Sequence, residues 1–295
     1  MNKRYSLDEY VDIINEYLKT ALPVCDFGED IVHEAMNYSL GIGGKRIRPV
    51  LVLEFCRICG GDIRKALPFA AAIEMIHTYS LIHDDLPCMD NDDMRRGMPS
   101  CHKKFGEEYA LLAGDGLLTG AFGKIADSEI AKEAPDVAVK AISALSELSG
   151  ANGMIGGQVV DLRNEDKPCG LEVLQTMDSL KTGALIRCAA KLGVLAAKGT
   201  DEQLACADAY ARGLGHAFQI VDDILDVIGD EKELGKPIGS DADSNKSTYV
   251  SILGIEKSKE YADKFTNEAI SSLDIFSDEA DFLRKLALSL ISRKN

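Results

Sequence analysis

Residues 69–93 read FAAAIEMIHTYSLIHDDLPCMDNDD, and this stretch decides the fold. From Phe69 to Ile76 it is apolar on nearly every side, as expected of a helix at the centre of a bundle rather than on its surface. The run continues to Asp84-Asp85, and Pro87 loosens the helix just beyond them. Carboxylates at a helix C-terminus sit at the wrong end of the macrodipole, and like charges one turn apart cost about 0.2–0.5 kcal/mol per pair. A cationic partner is therefore expected there, with Asp90 carried back past Pro87 towards Asp84 and Asp85.

The same helical spacing recurs outward along the chain, over residues 50–59, 109–130, 137–149, 171–198 and 203–228. No set of alternating strands competes with it. Breaks fall at Gly41–Gly44, Gly60-Gly61, Gly97–Pro99, Lys167-Pro168 and Gly229–Ser244, all of turn or modest loop length. The reading is an all-α protein, one large helical bundle with residues 1–295 as a single domain. Length alone, at 295 residues, leaves one or two domains open.

A formal net charge of −15 with no long basic block argues against nucleic acid or an anionic membrane as partner. MNKRYSLDEY at residues 1–10 has no apolar stretch behind it, and nowhere do eighteen apolar residues run together, so a soluble, cytoplasmic protein is expected. Eight scattered cysteines are too few for a disulfide scaffold in such a chain and read as reduced thiols. Cys56 and Cys59 match CxxC, but inside an apolar helical run with no second pair to complete a zinc site.

A second acidic group lies in FQIVDDILD, residues 218–226. Asp222 and Asp226 share a helix face, with Gln219 one turn earlier. Either group alone reads as a solvated acidic helix; both together, on strongly apolar helices, read as a cation site. Hard carboxylate oxygens suit Mg2+, which keeps few protein ligands and bridges to substrate phosphates. An EF-hand is excluded, because its alternating oxygen ligands, central Gly and final Glu are absent.

Basic residues occur where a turn or helix start aims them. GGKRIRP, residues 43–49, places Pro49 at the first helical position and Arg48 extended at the cap, so that Lys45 and Arg48 meet an anion at a helix N-terminus. Arg95 and Arg96 follow the first acidic cluster with planar, bidentate donors. Lys181-Thr182-Gly183, Lys236 and Lys246 add further donors. His77 alone reads equally as a satisfied core histidine or a ligand. GGQVVD, residues 156–161, fits a close helix contact at its glycines or a metal or water contact through Gln158 and Asp161.

Taken together these motifs resemble the trans-isoprenyl diphosphate synthases, most closely the bacterial farnesyl diphosphate synthase group. The resemblance runs in order through residues 43–49, 74–97, 156–161, 181–183, 218–226 and 235–249. It implies the isoprenoid synthase bundle with a central catalytic cavity. It also implies a Mg2+-dependent head-to-tail (1'-4) condensation of isopentenyl diphosphate with dimethylallyl or geranyl diphosphate to give (2E,6E)-farnesyl diphosphate and pyrophosphate. In its terms Asp84, Asp85, Asp90, Asp222 and Asp226 hold the metal. Arg95, Lys181, Lys236 and Lys246 hold the allylic diphosphate, and Lys45, Arg48, His77 and Arg96 hold isopentenyl diphosphate. Thr182 and Gln219, with Lys181, lie by the developing positive charge, and a homodimer is the family's expectation.

The resemblance also makes Tyr79, with Ser80, the floor that stops elongation near C15. Tyr79 lies five residues before Asp84, about 7–8 Å deeper along a regular helix. At about 100° per residue it is well off the face of Asp84, so packing of the ring between helices is the competing reading. Geranylgeranyl or longer products are the nearest alternative. A non-catalytic regulatory subunit is a more remote one, disfavoured because both acidic clusters and the Lys45/Arg48 pair are present.

Overall fold

A computed structural model describes residues 3–22, 30–165, 167–228 and 247–292. Their elements are α1 (Leu7–Leu18), α2 (Ile31–Gly41), α3 (Ile47–Ile58), α4 (Ile63–Asp84), α5 (Cys101–Phe105), α6 (Glu107–Ala126), α7 (Glu129–Glu133), α8 (Pro135–Ser149) and α9 (Met154–Asn164). Then come α10 (Leu171–Lys181), α11 (Gly183–Ala196), α12 (Asp201–Ile228), α13 (Tyr249–Leu253), α14 (Ile255–Ser271), a 3-10 turn (Asp274–Ala280) and α15 (Asp281–Ser292). The protein is all-α. Among the described residues the one strand pair is a two-residue ribbon, β1 (Met94–Arg95) antiparallel to β2 (Met98–Pro99).

The chain forms two compact units, Met1–Leu145 with Leu192–Gly199, and Ser146–Lys191 with Thr200–Asn295. In the first unit α4 is the central element. Phe69, Ile73 and Ile76 are fully buried, each contributing roughly 1.5–3 kcal/mol of burial. α4 packs on α3 and α6. α6 comes close because it presents glycines: a Cβ at Gly114 would occupy the space of the His83 ring, and one at Gly120 would stand 2.9 Å from Met75 Cε. α1, begun by a capping box in which Ser6 and Glu9 satisfy each other's backbone amides, is tied to α3 by a buried hydrogen bond. There Tyr10 Oη donates to Glu54 Oε2 at 2.5 Å, while Arg57 donates to both Glu54 oxygens at 2.9 Å.

In the second unit α12 lies against α14, where a Cβ at Gly213 would meet Phe265 O at 2.6 Å. Leu174, Ile220, Val221, Ile224, Tyr249 and Ala262 form the core beside it. Two helices expected to be continuous are broken. Residues 109–130 divide because Ser128 caps α7 by accepting from Ala131 N, and residues 171–198 divide at Thr182, whose amide still donates to Asp178 O before Gly183 starts α11. Cys56 is buried and Cys59 half-buried, and burial pushes both thiols up to about 12, which suppresses the thiolate. Among the described residues no helix is long and apolar enough to cross a membrane.

Candidate active site

In the first unit the residues expected to bind an anion are organised by the start of α3. Gly43 (φ 94°) and Gly44 (φ 129°) take backbone conformations that a side chain would strain. The helix begins earlier than expected: Arg46 is the N-cap, Ile47 the first helical residue, Arg48 lies inside the first turn and Pro49 is third. Proline is tolerated there because first-turn amides have no intrahelical acceptor to lose. Lys45 is exposed just before the cap, and Arg48 is half-buried with Nη1 3.4 Å from His77 Nε2.

Arg96 reaches the same place from the ribbon. Arg96 (φ 53°) and Gly97 (φ 76°) both have positive φ between β1 and β2, as a tight hairpin turn demands. This folds the Arg96 guanidinium onto Gly43, whose carbonyl accepts from Nη1, and into the space a Cβ would need at Gly44. Burial, first, and then the charges of Arg48, Arg96, Arg46 and Arg95 hold the His77 imidazole well below its ordinary value. It is neutral at pH 7, and because arginine only donates, Nε2 accepts and the ring proton belongs on Nδ1. Burial lowers Arg48 to about 10, with Glu74 opposing and Arg96 adding to the shift.

The first acidic cluster ends α4. Asp84 is half-buried and Asp90 exposed, and the loop returns as expected, since Asp90 N donates to Asp84 O at 2.9 Å. Asp85 is turned to protein cations: Arg95 Nε and Nη2 both donate to its Oδ1, the former at 3.0 Å, and Arg95 Nη2 also lies 3.3 Å from Asp92 Oδ2. Burial raises the Asp85 carboxyl, and the Arg95 bonds oppose that. Arg95 is thus the cation that this helix end called for. Tyr79 is 5% exposed, meets His83 edge-on at 5.7 Å between ring centroids, and has a hydroxyl without a hydrogen-bond partner among the described residues. Ser80 Oγ donates back to His77 O at 2.9 Å.

In the second unit a cavity of about 170 Å³ is lined by Asp161, Asp178, Lys181, Thr182, Gln219 and Asp223, among others. Lys181 Nζ donates to Asp161 Oδ2 at 2.5 Å, and Thr182 Oγ1 lies 3.4 Å from Gln219 Oε1. Gln219 Nε2 donates to Asp223 Oδ1 at 3.2 Å, and Tyr249 N donates to Asp223 Oδ2 at 2.8 Å. Asp223 therefore anchors the start of α13. Asp222 is half-buried one residue earlier, and Asp226 is buried one turn after it. The glycines of residues 156–161 have a packing explanation, because Gly157 lies against the backbone of Leu180 and Lys181. Lys236 and Lys246 lie outside the described residues.

Sequence reasoning missed Asp178. It is 5% exposed with Oδ2 unpartnered, and burial, then the neighbouring Asp223, raise its carboxyl to about 8. The available signal was an acid at a core position of α10, in step with Leu171, Leu174 and Lys181.

Among the described residues no three carboxylate, imidazole or thiolate groups gather closely enough to cage an ion by themselves. Asp84 with Asp90, and Asp222 with Asp226, offer hard oxygens in pairs. Such pairs fit Mg2+, which takes one or two carboxylates and completes its shell with water and phosphate oxygens.

Residues 29–285 match the polyprenyl synthetase family. The chain is 43% identical over 285 residues to the farnesyl diphosphate synthase of Micrococcus luteus, covering 97% of this chain and 96% of that protein. It is 45% identical over 289 residues, 96% of this chain and 77% of the relative, to the chloroplastic heterodimeric geranylgeranyl pyrophosphate synthase large subunit 1 of Arabidopsis thaliana. The solved structure of an FPP/GFPP synthase from Zymomonas mobilis superposes with a TM-score of 0.85 at 37% identity, covering 97% of each chain.

Proposed function

The chain belongs to the polyprenyl synthetase family, and from that premise we propose that it joins isopentenyl diphosphate to dimethylallyl and geranyl diphosphate, with farnesyl diphosphate as the main product. It is a prenyltransferase. The observation that carries the two-substrate reading is the gathering of Arg48, His77, Arg96 and the Gly43-Gly44 backbone at the start of α3. A helix N-terminus with two guanidiniums and a neutral imidazole donor is an anion site separate from the acidic cluster at the end of α4. A reaction on a single diphosphate has no use for it.

In this reading Asp84 and Asp90 of the first unit, and Asp222 and Asp226 of the second, would hold Mg2+, with Asp85 and Asp223 orienting Arg95 and Gln219. The metal supplies charge neutralisation at the allylic diphosphate. Arg95 and Lys181 are the donors assigned to the allylic diphosphate, and the bond between C1 and the bridging oxygen breaks with its electron pair leaving on pyrophosphate. Thr182 and Gln219 present oxygen atoms to the resulting allylic cation. Lys45, Arg48, His77 and Arg96 orient isopentenyl diphosphate so that its C4 forms the new bond to C1; a C2 proton then departs to pyrophosphate, restoring neutrality.

Residues 1–295 act as one polyprenyl synthase domain in this proposal, supported by a family match that runs through both compact units. A cytoplasmic homodimer belongs to the same reading. Tyr79, a buried ring on α4, supports a C15 limit, whereas the Arabidopsis relative favours C20. The test is purified protein with labelled isopentenyl diphosphate and each allylic primer, with and without Mg2+, and products sized by chromatography. Mg2+-dependent C15 is expected. Mainly C20 or longer product would overturn the chain length, and no turnover would overturn the enzyme in favour of a regulatory subunit.

A further inference from the structure

Arg46 stands between two residues assigned to isopentenyl diphosphate, yet its side chain turns the other way. The guanidinium is 2% exposed and all three nitrogens are engaged: Nε donates to Asn15 Oδ1 of α1 at 3.0 Å, Nη2 to Leu40 O of α2 at 2.6 Å, and Nη1 to Glu74 Oε1 of α4 at 2.5 Å. Its backbone is left-handed, φ 50° and ψ 28°, a conformation unfavourable for a residue with a side chain and kept only where surroundings enforce it. Turned into the protein with every nitrogen already donating, the guanidinium is directed away from a substrate.

What the buried contact fixes is register. Glu74 and His77 are one turn apart on the same face of α4. Arg46 and Arg48 are two apart at the start of α3, and each meets one of them. With Arg46 on Glu74, the first turn of α3 is set where Arg48 meets His77 and where the Gly43 carbonyl meets Arg96. Glu74 is also the carboxylate whose charge favours the protonated forms of Arg48 and Arg96. It is a buried counter-charge to a cluster of cations that would otherwise repel one another.

We infer that Arg46 and Glu74 are positioning residues for the second diphosphate site: their buried ion pair sets the α3 start against α4 so that Lys45, Arg48, His77 and Arg96 converge. The inference rests on the isopentenyl diphosphate reading above. Arg46→Lys and Glu74→Gln, made in the full chain, are expected to raise KM for isopentenyl diphosphate by about tenfold or more while KM for geranyl diphosphate stays within about twofold. Calorimetric titration of isopentenyl diphosphate alone should weaken in parallel.

Glu54→Gln is the control, since it breaks the other buried ion pair of α3, with Arg57, away from the α3 start. It should lower the melting temperature and leave the ratio of the two KM values unchanged. Equal changes in both KM values for the Arg46 and Glu74 variants, or the same ratio change in Glu54→Gln, would overturn the inference. If the single variants fail to fold, Arg46→Met with Glu74→Met replaces the pair by apolar groups of similar volume; a normal KM for isopentenyl diphosphate in that double variant would also overturn it. Lys45→Ala and Arg96→Ala separate the two levels. If neither disturbs isopentenyl diphosphate, the underlying reading fails; if both do and the Arg46 variants do not, only the positioning role fails.

Discussion

Replacing Gly157 by alanine tests how closely the second unit must pack for its lysine to be in place. An added Cβ would press hardest on Lys181 N and stand 2.6 Å from Lys181 Cα and 2.7 Å from Leu180 C, against 3.4 Å or more for ordinary contact. The shortfall at Lys181 Cα is about 0.8 Å and at Lys181 N larger still, and because the opposing atoms are backbone, no side chain can swing aside. Either α9 separates from α10 or the end of α10 shifts. Overpacking of this kind costs about 1–3 kcal/mol, and at about 2–4 °C per kcal/mol for a chain of this size the melting temperature should fall by roughly 2–12 °C. Asp161 lies one turn beyond Gly157, so the 2.5 Å bond from Lys181 to Asp161 should lengthen and turnover should drop as well. Differential scanning calorimetry and steady-state rates on the same preparations measure both. Gly123→Ala in α6 is the reference, since nothing lies within 4 Å of its added Cβ; it should be neutral or stabilise by up to about 1 kcal/mol. A Gly157→Ala protein that melts within about 1 °C of the parent and turns over normally would refute the overpacking argument.

Asp178 carries a pH prediction. Its carboxyl is raised in the folded protein to about 8, so the folded state binds the extra proton and stability is fully present at acid pH, then declines as pH rises from the ordinary carboxylate range through about 8. Asp178→Asn should flatten that decline and, relative to the parent, be more stable at pH 9 by on the order of a few kcal/mol; equal urea midpoint slopes between pH 5 and 9 would sink the assignment. Tyr79→Ala should shift the product mixture beyond C15 by chromatography and cost on the order of 3 kcal/mol for the buried ring. An unchanged product length would leave Tyr79 as packing between helices. Tyr10→Phe removes a buried donor to Glu54 and should cost about 1.5–3 kcal/mol in urea unfolding, with product length unchanged. Asp84→Ala and Asp222→Ala should each abolish turnover with helical circular dichroism intact, and near-normal rates in either would remove the metal assignment.

α4 was legible because its pattern has one solution: a long run apolar on all sides must be central, and Phe69 to Ile76 are buried as that requires. The acidic helix end announced its need for a cation, and Arg95 meets it. The start of α3 was misplaced because Pro49 marks only the first turn, within which proline is tolerated at several positions. Arg46 and Asp178 escaped for a common reason. A charged residue reads as surface until the fold shows how its burial is tolerated, by the Glu74 partner for Arg46 and by a raised, protonated carboxyl for Asp178. The break at Thr182 left no periodicity signal, because its amide remains hydrogen bonded to Asp178 O and only Gly183 hints at it.

The Arg96 guanidinium lies in space that any side chain at position 44 would claim, although the two residues are far apart along the chain. The two positions are therefore not free to drift separately. A library randomised at 44 alone should return glycine, since the φ of 129° strains any other residue and its Cβ would displace the guanidinium, and a shorter residue at 96 would restore room while discarding the charge. Inheritance at this corner acts on the pair: a loop that looks permissive by its glycines is as constrained as the core.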